Sequence, residues 1–413
     1  MDPVDNPFSP GAGNRPPELA GRDDIMSEAA VAIGRLSRSR FSRSQMLLGL
    51  RGVGKTVLLN EILARAAAKG IHTAKIEAPE NKKFLDKLVP ALRKLVIEID
   101  KGARVKAEVN KARVALRNFA SVFKVKVGEI EFGVDPEPGV ADSGELETDL
   151  TDLLLITADA ARAAKKGVLI AIDEVQYLSV EELGALIVAL HEVSQRDLPL
   201  TVFGAGLPQL AALAGDAKSY AERLFDYPNV GPLDRIASIA ALQEPVEAAG
   251  AAWEQTALTK IVKLTQGYPF FLQEYGYQAW NLSQQETIQG SIVPAVHRAA
   301  TARLDRSFFK VRIDRLTPRE LDYICAMAEL GPGPHRSGDI AAAMGITVQA
   351  AAPVRAVLIE KGMVYSPSHG ETAFTVPMFD DYVRRGVLTL KDGKVRAPAK
   401  KAKAPAKKKA KKS

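Results

Sequence analysis

The chain has 413 residues, 46% of them hydrophobic, and is therefore long enough for two or three globular domains. Its single cysteine, Cys325, excludes an internal disulfide framework and predicts a reducing, cytoplasmic location. No apolar run reaches the length of a membrane span and the five histidines lack metal-ligand spacing, so we expect no membrane partner and no histidine metal site.

The net charge of +7 is unevenly distributed. From residue 391 to the end, ten lysines and Arg396 stand against one acid, Asp392, which gives a net charge of +10. Residues 1–390 therefore carry a net charge of −3. The body of the protein is slightly acidic, and all of the net basicity lies in the tail.

The first part of the chain predicts a nucleotide-binding α/β domain. Residues 1–18 are rich in proline, glycine and asparagine and predict an extended lead-in. Over residues 19–234, short apolar strands alternate with helical patterns, which is typical of a parallel sheet covered on both faces. Within this domain, residues 121–134 alternate apolar and charged side chains about a glycine and predict a β-hairpin.

Residues 49–56 form a complete G-x-x-x-x-G-K-T phosphate-binding loop between the apolar run 46–48 and a helical pattern. The glycines let the backbone curl so that N–H groups face a phosphate at the positive end of the helix. Lys55 would reach the outer phosphates of a nucleoside triphosphate, and the Thr56 hydroxyl would bind Mg²⁺. The predicted nucleotide-binding residues of this loop are Gly49, Gly52, Val53, Gly54, Lys55, Thr56 and Val57.

A second apolar strand, residues 168–172, is followed by Asp173 and Glu174. Ligands of open α/β sheets bind at the carboxyl ends of the strands, so this acidic pair is expected beside the phosphate loop. Asp173 would hold Mg²⁺, and Glu174 would polarise the water that attacks the γ-phosphate. The alternative is that the acidic pair only complements a helix dipole. The phosphate loop in the same domain favours the metal and water site over this alternative.

Residues 306–390 predict a winged helix, and residues 391–413 predict a disordered tail. Thr317-Pro318-Arg319-Glu320 is a capping box with proline at the first helical position, and two more helices and a hairpin follow. The Lys/Ala/Pro tail is a candidate for non-specific binding of double-stranded DNA, with a solvated solubility tail as the alternative. The candidate DNA contacts of the winged helix are Arg336, Gln349, Arg355 and His369.

Taken together, these motifs resemble the AAA+ superfamily of P-loop ATPases, particularly the origin-recognition-like and archaeal-type ATPases that border the STAND ATPases. The resemblance covers about residues 15–385 and implies ATP as the ligand, its hydrolysis with Mg²⁺, and a helical lid over residues 235–305. Gly21 and Arg22 lie in a segment similar to the one that lines the adenine pocket in those families. Pro269, in Gly267-Tyr268-Pro269, is similar to the lid proline that packs near the nucleotide.

The same resemblance makes Arg223 an arginine finger, which would act on a neighbouring subunit and imply a homo-oligomer. An ion pair of Arg223 with Glu222, Asp226 or a lid carboxylate is the alternative. The fourth strand departs from the family because Phe203-Gly204-Ala205-Gly206-Leu207 offers no polar side chain to place the attacking water. Gln195 and Thr201 are the candidates to replace it.

The lid also lacks a recognisable arginine at its usual place. Both losses remove transition-state contacts rather than phosphate contacts, so we expect slow turnover in a nucleotide-controlled switch. Two classes of function stay open at this stage. One is an ATPase associated with DNA through the tail, and the other is a STAND-like regulator whose winged helix restrains the nucleotide domain and whose partner is a protein.

Overall fold

The structure is a computed structural model that describes residues 1–388 except 12, 15, 81, 103–104 and 126–137. The chain divides into two compact units, Met1–Arg303 and Leu304–Ser413. The predicted tail and most of the predicted hairpin lie outside the described residues. The first two positions assigned to the hairpin, Ser121 and Val122, end a helix instead.

The first unit contains a five-stranded parallel sheet, which confirms the predicted fold class. The strands are β1 (Ser44–Leu48), β2 (His72–Glu77), β3 (Val168–Asp173), β4 (Leu200–Gly206) and β5 (Phe225–Asp226). The strand order is β2-β3-β4-β1-β5, and every neighbouring pair is parallel.

Helices cover both faces of this sheet because alternate side chains of each strand point to opposite faces. The helices are α1 (Asp23–Leu36), α2 (Lys55–Ala68), α3 (Leu85–Gly102), α4 (Lys106–Val122), α5 (Leu146–Ala163), α6 (Val180–Gln195), α7 (Leu210–Ala217) and α8 (Ala221–Leu224). In β3, Ile170 and Ile172 pack into the core with α3 to α6, whereas Leu169 and Ala171 pack into the core with α1 and α2.

Four further helices complete the first unit and coincide with the predicted lid. They are α9 (Arg235–Ala248), α10 (Gln255–Thr265), α11 (Pro269–Leu282) and α12 (Val293–Leu304), with short paired strands β6 (Ala252–Trp253) and β7 (Thr287–Ile288) between them.

The amino-terminal segment packs against α11. Phe8 is 3% exposed, and its ring leaves no space for a side chain at Gly276. The indole Nε1 of Trp280 donates a hydrogen bond to the backbone oxygen of Asp2 at 2.7 Å. The predicted lead-in is therefore attached to the lid along its first residues.

The α-helices and strands of the second unit have the order helix, helix, strand, helix, helix, strand, strand, helix in the described residues. Its elements are α13 (Lys310–Ile313), α14 (Pro318–Glu329), β8 (His335–Arg336), α15 (Ser337–Met344), α16 (Val348–Glu360), β9 (Val364–Tyr365), β10 (Glu371–Phe374) and α17 (Phe379–Tyr382), with sheet order β8-β10-β9. The capping box of Thr317 and Glu320 at the start of α14 is confirmed. The assignment of this unit as a winged helix stays a prediction.

Arg355 of α16 has a structural role inside the second unit. Its guanidinium donates to Thr372 Oγ1 at 2.7 Å, to Ser366 Oγ at 2.9 Å and to the Glu371 backbone oxygen at 2.9 Å. These bonds tie α16 to the β9–β10 hairpin, so a DNA contact by Arg355 would have to replace them.

The exposed side of α16 is mostly apolar. Val348 and Val357 are 44% and 37% exposed, and Ala352, Pro353 and Ala356 are exposed between them. No single helix of the described residues is long and apolar enough to cross a membrane, and α15 and α16 reach that length and composition only as a pair bent by 107°.

Candidate nucleotide-binding site

The phosphate loop joins β1 to α2 and is shaped by its glycines. Gly52 and Gly54 have φ angles of +83° and +95°, in the left-handed region that favours glycine. A Cβ at Gly49 would lie 2.2 Å from the backbone oxygen of Val230, so the loop begins where only glycine fits. The structure thus places Gly54 at the N-cap of α2, whose N-terminus faces the loop.

Lys55 lies inside the loop and is 8% exposed. Its ammonium donates to the backbone oxygens of Gly49 at 2.8 Å and Leu50 at 2.9 Å. An ammonium has three donors, so this arrangement leaves one of them for a phosphate. Burial lowers the pKa of Lys55 to about 8, although the carboxylates of Glu174 and Asp173 act in the opposite direction.

Thr56 and Asp173 meet at the end of β3. The Thr56 hydroxyl donates to Asp173 Oδ2 at 2.7 Å, although the two residues are 117 positions apart in the chain. A hydroxyl and a carboxylate oxygen are the hard ligands that Mg²⁺ prefers, and Mg²⁺ takes few protein ligands beside phosphate oxygens and water. The two predicted metal ligands therefore fit the ion, although the described residues contain no cluster of three or more acidic, histidine or cysteine side chains.

Glu174 stands at a strained turn directly after β3. Its φ is +55°, an unusual value for a non-glycine residue, and the 3₁₀ turn Val175–Tyr177 follows it. Arg51 Nη1 lies 3.4 Å from Glu174 Oε1, and the Gln176 amide Nε2 donates to Glu174 Oε2. Both oxygens of the predicted catalytic carboxylate are therefore engaged by the protein.

Arg51 is fixed in turn by Tyr177, whose hydroxyl accepts from Nη2 at 2.8 Å. Burial lowers the pKa of the Arg51 guanidinium, but Glu174 and Tyr177 raise it by more, so that the net change is upward. Arg51, Gln176 and Tyr177 were not predicted from the sequence. The only available signal was their position in the sequence. Arg51 occupies a variable site of the phosphate loop, and Gln176 and Tyr177 come shortly after the acidic pair.

Gln176 reaches the end of β4, where the sequence analysis found no polar side chain. Its Oε1 accepts from the Leu207 backbone N–H at 3.1 Å. The two candidates for this place, Gln195 and Thr201, are wrong. Gln195 ends α6, beside His191, and Thr201 is a fully buried residue near the start of β4, bonded to Ser44.

Arg22 binds the backbone on the other side of the loop. Its Nη2 donates to the backbone oxygens of Val53 at 3.0 Å and Gly231 at 2.7 Å, and burial lowers its pKa. Gly21 has a φ of +65°, and a Cβ there would lie 2.6 Å from Ala237. The predicted adenine-pocket segment is therefore held against both the phosphate loop and the lid.

The predicted lid motif also lies at the loop. Pro269 is the first residue of α11, and the next residue, Phe270, donates its backbone N–H to the Gly52 oxygen at 3.2 Å. A Cβ at Gly267 would lie 2.2 Å from the Leu233 backbone oxygen. The start of the lid helix is thus in direct contact with the phosphate loop.

Arg223 stands apart from this cluster. It is an exposed residue of α8, its backbone N–H donates to the Tyr220 oxygen at 3.0 Å, and its guanidinium makes no hydrogen bond or ion pair with the described residues. One of its predicted partners, Asp226, is bound by Arg43 at 2.8 Å instead. The geometry therefore leaves Arg223 available to a group outside this chain.

Comparison with known proteins agrees with this geometry. Residues 18–203 match the family model of an AAA ATPase domain, and residues 306–383 match that of a domain of unknown function (DUF8462). No curated protein matches the sequence. The predicted resemblance to AAA+ ATPases is thereby confirmed for the first of these segments.

The solved structures that are similar to nearly the whole chain include two archaeal proteins. The Walker-type ATPase of Pyrococcus abyssi is 16% identical, with 90% of this chain and 97% of that chain covered and a TM-score of 0.55. The ORC2 protein of Aeropyrum pernix, in its ADPNP–ADP complexes, is 16% identical, with 92% and 97% covered and a TM-score of 0.53. At these identities the likeness shows the fold.

The lowered pKa of Lys55 predicts that ATP binding takes up a proton. With a pKa of about 8, part of the Lys55 amines are neutral at pH 8, and a bound phosphate favours the charged form, so ATP binding should take up protons at this pH. Titration calorimetry in buffers of different ionisation enthalpy measures this uptake. At pH 6.5 the uptake should vanish, and equal uptake at both pH values would contradict the prediction.

Proposed function

From the premise that residues 18–203 form an AAA ATPase domain, we propose that this chain binds ATP with Mg²⁺ and hydrolyses it slowly as a nucleotide-controlled switch. The observation that carries the proposal is the convergence of Lys55, Thr56, Asp173 and Glu174 at the ends of β1 and β3. This arrangement joins a phosphate-binding amine, a pair of metal ligands and a general base.

Each residue has one role in the proposed reaction. Lys55 and the loop N–H groups bind the phosphates, and Thr56 and Asp173 hold Mg²⁺, which neutralises phosphate charge when bound. Glu174 takes a proton from water as the water oxygen bonds to the γ-phosphorus. The bond from that phosphorus to the bridging oxygen breaks, and its electron pair leaves with ADP.

The restraint on Glu174 supports slow turnover. Its Oε1 faces the Arg51 guanidinium and its Oε2 accepts from Gln176, so the oxygen that faces Arg51 is the one whose acceptance of a proton from water depends on a change of contact. A nucleotide or partner that moves Arg51 would therefore start the reaction, which is the behaviour of a switch.

A partner of the switch is proposed from charge. The tail, residues 391–413, carries a net charge of +10 in a body of −3, so non-specific contact with double-stranded DNA is the first proposal. The second proposal is a STAND-like regulator with a protein partner. It is favoured by the apolar exposed side of α16, because Val348 and Val357 offer no groups for base or phosphate contacts.

Glu174→Gln should bind ATP as wild type does and lose turnover, because an amide cannot accept the proton of water. The wild type should turn over more slowly than about 10 s⁻¹, the median for enzymes. Phosphate release and binding of a fluorescent ATP analogue measure the two quantities. Glu181→Gln, in an exposed part of α6, is the matched control. Wild-type turnover in Glu174→Gln would refute the proposed reaction.

Arg223→Ala should lower turnover at least about tenfold with unchanged ATP affinity, since the exposed guanidinium would act on a neighbouring subunit. Mixing this variant with Lys55→Ala should restore activity, because one supplies the ATP and the other the arginine. Arg196→Ala, at another exposed arginine, is the control. A full-rate monomeric Arg223→Ala would contradict the arginine finger.

Deletion of residues 391–413 should abolish most DNA binding at low salt. In the full chain, the affinity for a DNA duplex should fall steeply between about 50 and 200 mM salt, because each neutralised phosphate releases counterions. Fluorescence anisotropy with a labelled duplex measures both. If the truncated chain keeps the affinity and its salt dependence, the tail is not the DNA contact and the second unit becomes the candidate.

A further inference from the structure

We propose that Gln176 is a positioning residue for ATP hydrolysis, which fixes the Glu174 carboxylate against the end of β4 and replaces the polar side chain that this strand lacks. The inference rests on the proposed function, since it concerns the same hydrolytic site. Gln176 belongs neither to the phosphate-loop motif nor to the acidic pair, so neither motif gives it a role.

The amide of Gln176 is used at both ends. Its Nε2 donates to Glu174 Oε2, and its Oε1 accepts from the Leu207 backbone N–H at 3.1 Å. Because Leu207 directly follows β4, the amide connects the catalytic carboxylate to the carboxyl end of that strand. A side chain held at both ends has little freedom, and so has the carboxylate that it binds.

The end of β4 is built to receive this side chain. Gly204 and Gly206 are two positions apart and therefore face the same side of the sheet. A Cβ at Gly206 would lie 2.8 Å from Leu210 Cδ2 and 2.9 Å from Gln176 Oε1, and one at Gly204 would lie 2.2 Å from Met46 Sδ and 3.1 Å from Val175 Cγ2. The turn after β3, together with Met46 and Leu210, thus occupies the space where side chains of β4 would stand.

Gln176 and Arg51 act differently on Glu174. Arg51 carries a charge, is 3.4 Å away and is held by Tyr177, so it restrains the carboxylate as a cation. Gln176 is neutral and orients the other oxygen without opposing its acceptance of a proton. Removal of Gln176 should therefore lower kcat, whereas the ground-state contacts of ATP, made by the phosphate loop, should remain.

Gln176→Met in the full chain tests this step, because methionine has a similar length and no amide. We expect kcat to fall about tenfold or more, with the affinity for ATP within about twofold of wild type. Gln195→Met, which removes an amide at the end of α6 beside His191, should leave both unchanged. A smaller fall in kcat overturns the proposal, as does a parallel loss of ATP affinity, which would indicate a damaged site.

Two double variants test whether the amide group of Gln176 is needed or only the volume that its side chain fills. Gln176→Ala with Gly206→Asn restores a polar side chain from the strand itself, and Gln176→Ala with Gly206→Leu fills the same volume without one. Gly206 does not have a positive φ, so both side chains are compatible with its backbone, and both pairs must displace the same neighbour, Leu210 Cδ2, which lies 2.8 Å from a Cβ at Gly206. We expect higher turnover for the asparagine pair than for the leucine pair. Equal turnover of the two overturns the proposal.

Glu174→Gln shows which proposal has failed if the result is negative. If Glu174→Gln is inactive and Gln176→Met turns over as wild type does, the proposed function stands and only the role of Gln176 is refuted. If Glu174→Gln itself turns over as wild type does, Glu174 is not the base, and the proposed function fails before Gln176 is considered.

Discussion

The parallel register of β3, β4 and β1 is the constraint on which the site depends. Ile172 pairs with Gly204, and Leu48 pairs with Gly206, so the three strands end at the same edge of the sheet. The backbone N–H of Gly49 then donates to the Gly206 oxygen at 3.1 Å, which attaches the start of the phosphate loop to the end of β4. Everything that contacts Glu174 follows from this edge, because Arg51 comes from the loop after β1 and Gln176 from the turn after β3.

The glycines of β4 show how the missing polar residue and the restrained carboxylate are one feature. A side chain at Gly204 or Gly206 would meet Met46 and Leu210 as well as Val175 and Gln176 of the turn after β3, so the strand has glycine at both positions. The polar group at this edge therefore comes from the turn after β3 and not from β4. The strand lacks the polar side chain of related ATPases, and Gln176 of the turn provides an amide at the same place.

The sequence was sufficient for the features that depend on local pattern. Spacing and side-chain type within about ten residues were enough to predict the loop at residues 49–56, the strand before Asp173 and the capping box at Thr317. Gln176 and Arg51 could not be found in this way, because their roles arise only when β1, β3 and β4 meet. Gln195 was a wrong candidate because closeness in sequence does not give position in the sheet. It lies a few residues before the start of β4, whereas the site lies at the end of that strand.

The phosphate loop is already ordered for binding, whereas the Glu174 carboxylate is held by contacts that have to change before it acts as a base. Carbonyl groups of the loop are already bound from several directions: the Gly49 and Leu50 oxygens by Lys55, the Gly52 oxygen by the backbone of α11, and the Val53 oxygen by Arg22. Phosphate binding thus meets a loop that is already ordered, so little conformational entropy is lost. In the proposed reaction, in contrast, Glu174 has to leave the cation that faces it. A site with a preorganised phosphate loop and a restrained base would hold ATP longer than it hydrolyses it, and this difference would give the proposed switch a lifetime in its ATP-bound state.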